Sequence, residues 1–153
     1  MKGISGSKFE KELSHTLNEM KKNGEILYHH KFWRTMHSQS VIADDLVITN
    51  QGNTIFFEAK QTSTLDKIGR ATLEKPEQVE LNQKLTKNTT RHIYIVAFYA
   101  NGDYFILNNV KALVGLHKSY YSIGEVLKTC TFVNTDLHEL IFQYIKTFID
   151  LQL

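Results

Sequence analysis

The residues of this chain with the clearest chemical use lie close together. Glu58 and Lys60 sit two apart in the apolar run "TIFFEAKQT", and Asp45 precedes them in "ADDLVITN". Side chains alternate across a strand, so Glu58 and Lys60 share one face while Ala59 takes the other. Both stretches are rich in Val, Ile, Thr and Phe and are separated by "NQGN", which predicts a hairpin joining Val41–Thr49 to Thr54–Lys60. A symmetric turn, of two residues (Gln51-Gly52) or four (Asn50 to Asn53), places Asp45 directly opposite Glu58 and Ala43 opposite Lys60. Asp44 then faces away, on the side of Ile42, Leu46 and Ile48. A three-residue turn would reverse that preference.

Directly opposed residues have Cβ atoms ~5 Å apart. Two carboxylates that close repel by roughly 3 kcal/mol at an effective dielectric of about 20. A divalent cation between them turns repulsion into coordination, and Mg²⁺ takes one or two carboxylates with water and phosphate completing its shell. A lysine at the edge can hold a phosphate oxygen or the attacking water. The combination predicts metal-assisted hydrolysis of a phosphodiester. By itself Glu-x-Lys reads better as an ordinary ion pair on a half-exposed strand. The aspartate that the hairpin brings opposite tips the reading toward a site.

Two further residues bear on it. Gln78 falls on one helical face with Leu81 and Leu85, so a polar amide points where a core residue belongs and needs partners there. A helix-end glutamine reaching solvent is an equal alternative. Glu10 stands three residues after Ser7, the capping-box spacing, and that pattern favours a role in closing a helix's first turn. It also lies at the edge of an apolar stripe, from which it could reach a site on the sheet.

The elements that must position these residues are readable in outline. Ser7 to Asn23 is predicted as a helix with Phe9, Leu13, Leu17 and Met20 on one stripe and "NG" as its stop. Glu25 to Trp33 is predicted as a strand, followed by the polar "RTMHSQS" and the hairpin. Thr62 to Leu73 reads as a mobile polar loop. Pro76 opens a helix running to about Lys87. "RHIYIVAFY", "ANGD" and "YFILN" form a second hairpin, and "VKALVGLHKS" and "SIGEVLKTC" read as short helices. Thr135 caps a last helix with the stripe Leu137, Leu140, Ile141, Tyr144, Ile145, Phe148 and Ile149. The order is helix, three strands, helix, further strands, helices: a single α/β domain over 1–153 with a mixed sheet, no repeat and no linker.

Composition sets the surroundings. No apolar run approaches the ~20 residues of a membrane span, and "MKGISGSKFEKEL" lacks the apolar block of a signal peptide. Cys130 stands alone, which fits a reducing cytosol. The net charge of +2 is too small to argue for a polyanion partner, but all 18 Lys and Arg residues except Lys146 precede Cys130. Two basic stretches flank the carboxylates. Lys31 and Arg34 lie in the acid-free "YHHKFWRTMHSQSV"; Lys67, Arg70 and Lys75 lie in the second stretch. They are the candidate phosphate contacts. The seven histidines offer no zinc spacing, and Walker, G-x-S-x-G and dinucleotide motifs are absent from the sequence, so no nucleotide cofactor is expected.

With these residues in view, the chain resembles the PD-(D/E)XK nuclease superfamily, and most closely the RecU-type Holliday junction resolvases of Gram-positive bacteria and their phages. "FFEAKQT" is similar to that family's Glu-x-Lys strand, "GSKFEKEL" to its opening helix, and "EQVELNQKL" to the helix carrying its glutamine. "IYIVAFYANGDYFIL", then "HKSYYSIGEVLK", resemble its later strands and a Lys-Ser-Ile-like segment. The resemblance implies a restriction-endonuclease-like core and a Mg²⁺-dependent homodimer (Mn²⁺ as substitute) that nicks four-way DNA junctions in recombination or repair, leaving 5′-phosphates. It implies that Asp45, Glu58 and the Ala59 carbonyl bind metal. Lys60 positions the water, and Glu10 and Gln78 support metal or water. The sequence departs from the family in having Asp44, not proline, before Asp45, and a short connection from Lys31 to Asp44. A duplex-cutting endonuclease of the same superfamily is the alternative. A DNA-binding module without turnover is less favoured, because every expected chemical residue is present.

Overall fold

The computed structural model describes residues 7–33, 43–85 and 89–149. Its first element is helix α1 (Lys8–Lys22), and the expected capping box is formed. The Ser7 hydroxyl accepts from the Glu10 N–H at 3.1 Å, and the Glu10 carboxylate accepts from the Ser7 N–H at 2.9 Å. Phe9, Leu13, Leu17 and Met20 are fully buried along one stripe. The helix stops at Asn23, and Gly24 turns the chain at φ +74°.

Strands β1 (Tyr28–Lys31), β2 (Asp45–Ile48), β3 (Thr54–Thr62), β5 (Thr90–Phe98), β6 (Asp103–Leu107) and β8 (Phe132–Asn134) form one six-stranded sheet in the order β1-β2-β3-β5-β6-β8. β3 and β5 run parallel and every other pair is antiparallel, so the protein is α/β with a mixed sheet. The crossover between the two parallel strands carries β4 (Lys67–Gly69), α2 (Arg70–Leu73) and α3 (Pro76–Lys84). After β6 come α4 (Lys111–Val114), β7 (Tyr120–Ser122) and α5 (Ile123–Thr129), and after β8 comes α6 (Leu137–Tyr144).

The sheet separates two cores. On one face α1 and α6 cover Val47, Ile55, Phe57, Ala59, Ile93, Ile95 and Ala97. On the other, Tyr94, Val96, Phe98, Phe105 and Leu107 pack with Ile68, Leu73, Leu113, Tyr121 and Val126. β5 is covered on both sides, which is why Ile93 to Phe98 reads as an unbroken run of hydrophobic and aromatic residues. β3 gives its odd positions to the α1 core. Phe56, Glu58 and Lys60 therefore face the second layer, alongside Tyr94 and Val96 of β5.

The structure corrects several expectations. Thr62 to Leu73 is not one loop: Lys67–Gly69 pairs with Tyr120–Ser122, a strand some fifty residues later, and Arg70–Leu73 is helical. β8 also went unforeseen, because a three-residue strand has too few positions to show alternation. β1 is shorter than Glu25–Trp33, and α3 ends at Lys84. The cap of α6 is Asp136 rather than Thr135, its carboxylate accepting from the Glu139 N–H at 3.0 Å. The last helix continues in π geometry over Ile145–Ile149. Leu137, Leu140, Ile141, Tyr144 and Ile145 are consumed by the chain's own core. Among the described residues no helix is long and apolar enough to cross a membrane.

Candidate active site

The hairpin turn decides which aspartate meets Glu58. Its loop has three residues, Asn50, Gln51 and Gly52, closed by Thr49 N–H to Asn53 O at 2.8 Å and Gly52 N–H to Thr49 O at 2.9 Å. Gly52 adopts φ +89°, the left-handed position with which a three-residue hairpin loop ends. The resulting register pairs Ile48 with Thr54 and Asp45 with Phe57. The expected opposition of Asp45 and Glu58 is therefore wrong by one residue. That slip carries Asp45 to the α1 face.

Asp44 takes the other direction. Its N–H donates to the Phe57 carbonyl at 2.9 Å although Phe57 is already the ladder partner of Asp45. Two residues of β2 thus oppose one of β3, the pattern of a bulge, which re-aims the side chain at its position. The Asp44 carboxylate accepts from the Ala59 N–H at 2.7 Å, so it lies over the peptide that separates Glu58 from Lys60. The Ala59 carbonyl leaves the same edge of the strand as its N–H.

Glu58 is fully buried. The Lys60 ammonium stands 3.3 Å from Glu58 Oε1 and donates to Gln78 Oε1 at 2.9 Å. Gln78 therefore finds the partner its position called for. Tyr94, the parallel-register neighbour of Glu58, forms the floor, with its ring 5.9 Å from Lys60 Nζ. Burial, and then the Glu58 charge, push the Tyr94 phenol well above its ordinary range, so it stays a neutral donor, 3.5 Å from the Leu73 carbonyl. α3 is held by Asn82, one turn beyond Gln78. Its buried amide donates to His92 O at 2.8 Å and accepts from Val110 N–H at 3.0 Å. Asn82, rather than Leu81 or Leu85, is the fully buried residue of that helix. Asp44, Tyr94 and Asn82 are the residues sequence reasoning missed; an i, i+4 step from Gln78 was the available signal for Asn82.

On the opposite face Asp45 is locked into a different network. Its Oδ1 lies 2.6 Å from His29 Nε2 and accepts from the Ser14 hydroxyl at 3.2 Å; His29 Nδ1 is 2.8 Å from Asn18 Oδ1. Ser14 and Asn18 come from α1 and His29 from β1, so Asp45 ties three elements together.

The other predicted residues are placed as follows. Glu10 closes the α1 capping box. Lys31 lies with its ammonium 4.9 Å from the Trp33 ring, and Lys67 likewise 4.6 Å from Tyr120. Arg70 pairs with Glu74, whose carboxyl is held below its usual range by that contact, and reaches His117 Nδ1 at 3.1 Å. Lys75 is exposed at the start of α3, and Arg34 lies outside the described residues.

Asp44, Glu58 and the Ala59 carbonyl could supply oxygen donors, the atom type a hard divalent cation takes. Among the described residues no group of three or more His, Cys, Asp or Glu is placed to hold a metal, a count that a two-carboxylate magnesium site does not reach. No protein-family model and no curated protein matches the chain.

Proposed function

We propose that this chain is a metal-dependent endodeoxyribonuclease with Asp44, Glu58, Lys60 and Gln78 at its centre. The observation that carries the reading is the Asp44 carboxylate on the Ala59 N–H, which brings a second acid to the strand segment bearing Glu58 and Lys60. Two acids at one strand segment, a lysine that donates to a glutamine, and a neutral tyrosine close by are groups that suit phosphodiester hydrolysis.

Asp44, Glu58 and the Ala59 carbonyl would hold Mg²⁺ or Mn²⁺. When bound, the ion supplies Lewis acidity toward the phosphate and a more acidic water. The chain's own residues do the rest. Lys60 donates from the rim and can orient a non-bridging phosphate oxygen or the incoming water. Gln78 spends its carbonyl on Lys60 and so limits the directions the ammonium can take. Tyr94 keeps the floor free of a further negative charge. Water adds to phosphorus as the 3′ oxygen leaves, giving a 5′-phosphate.

The restriction-endonuclease-like core, the homodimer and the preference for four-way junctions are the finer parts of this proposal and rest on the resemblance. A junction needs two symmetric cuts, and a closed dimer presents two sites. The test is a labelled four-way junction and a matched linear duplex, each with and without Mg²⁺. Paired nicks in junction strands of like polarity support the full reading. Equal cutting of the duplex leaves the nuclease and removes the junction preference. No metal-dependent cutting of either rejects the proposal.

A further inference from the structure

On the α1 face of the sheet, away from the Glu58 centre, α1 and the end of β1 enclose a hollow of about 430 Å³. Lys11 and His15, one helical turn apart, form one wall, and Lys31 and Trp33 form the other. His29 and Asn18 also line it. Trp33 is 73% exposed, although most of the chain's aromatic rings are buried or half-buried. It is the largest apolar surface that the described residues leave in water, and it carries a lysine over its ring. No described acidic residue lines the hollow. Asp45, just behind it, is fully buried and turned to His29.

An exposed ring flanked by cations is a poor core and a poor protein hot spot, since neither needs unpaired positive charge around the aromatic. It is the combination that takes single-stranded nucleic acid, where a base stacks on the ring and basic groups take the backbone. The volume falls in the range of pockets that hold one small organic group. We infer that this hollow binds an unpaired nucleotide of a single strand, the base on Trp33 and the adjoining phosphates on Lys11 and Lys31.

Its position links it to the centre. Lys31 is the ladder partner of Asp45, and the Phe32 N–H donates to the Asp44 carbonyl at 2.9 Å. The hollow and the acid centre therefore flank the Asp44–Asp45 pair from opposite faces. A strand passing over the β1 edge would touch both. The substrate would then carry unpaired nucleotides beside the scissile phosphate; that use rests on the nuclease reading, whereas the binding itself does not.

Trp33 is the chain's single tryptophan, so its emission reports on this hollow alone. The test titrates the full chain in EDTA with oligothymidylate of about eight nucleotides. Saturable quenching by roughly half is expected. By anisotropy of the labelled oligonucleotide, Lys31→Ala should weaken binding about tenfold and Trp33→Ala more, while Trp33→Phe, which keeps a stacking face, should bind within a few-fold of the parent. Far-UV circular dichroism of each variant checks the fold. Absent quenching, or Trp33→Ala binding as tightly as the parent, overturns the inference. So does equal quenching by inorganic phosphate, which would leave a mere anion site. Quenching without metal-dependent cutting of any DNA defeats the nuclease reading and leaves the strand site. Cutting without quenching does the reverse.

Discussion

Asp44 and Asp45 are neighbours in the chain and opposites in the fold. Asp45 points into the α1 layer, where a histidine, a serine and, through the histidine, an asparagine hold it among three elements. Asp44, at the bulge, turns its carboxylate to the edge of β3, where it accepts from the Ala59 amide between Glu58 and Lys60. Both are almost completely buried, so burial does not distinguish them. The partners do. The groups around Asp45 bind elements of the fold to one another. The strand partner of Asp44 is the Ala59 amide, in the segment that carries Glu58 and Lys60.

That contrast predicts opposite outcomes for matched substitutions. The largest effect falls on Asp44→Asn and Glu58→Gln, each of which should lower metal-dependent cleavage by about 10³-fold or more while leaving the thermal transition in place. Turnover in Asp44→Asn close to the parent's would place the centre elsewhere. Asp45→Ala should do the reverse, costing about 3 kcal/mol or more because it leaves the buried His29 ring without its acceptor. Denaturant titration measures that loss. Cleavage per folded molecule should change little; a loss matching that of Asp44→Asn would make both aspartates part of the centre.

Next in size is a pair on α3. Gln78→Ala should reduce cleavage about tenfold, the scale of removing a group that orients a catalytic partner, with an unchanged melting temperature. Asn82→Ala should instead destabilise by about 1–3 kcal/mol, since it strands the buried His92 carbonyl and Val110 amide. Unfolding curves and single-turnover rates of the two variants separate positioning from support. The smallest effect belongs to the cap of α1. Ser7→Ala should cost about 1 kcal/mol and Glu10→Gln less, since a glutamine carbonyl still accepts from the Ser7 N–H, and both should leave turnover alone. A turnover loss in Glu10→Gln that Ser7→Ala does not share would bring Glu10 into the centre.

Much of this was legible from local pattern. The α1 stripe with its capping box, Pro76 at the start of α3, and the placement of Glu58 and Lys60 on one strand face follow from periodicities of a few residues. Those periodicities hold wherever the segment ends up. Pairing across a turn is different in kind. "NQGN" is compatible with loops of two, three or four residues, and the one-residue difference exchanges the two aspartates between faces. β4 and β7 were hidden for a related reason: each has three residues, and each exists only because the other arrives from far along the chain.

The sequence by itself determined which groups are available and which faces they share within one element. These are an acid and a lysine on β3, a glutamine on the helix that Pro76 opens, and a stripe that buries α1. Those relations are set by backbone geometry over one or two turns or pleats. Only the tertiary structure decided that the aspartate turned to the Ala59 peptide is Asp44. The choice rests on the left-handed glycine at position 52 and a bulge against Phe57, where hydrogen bonds between separate segments select one register from several that the local chain accepts equally.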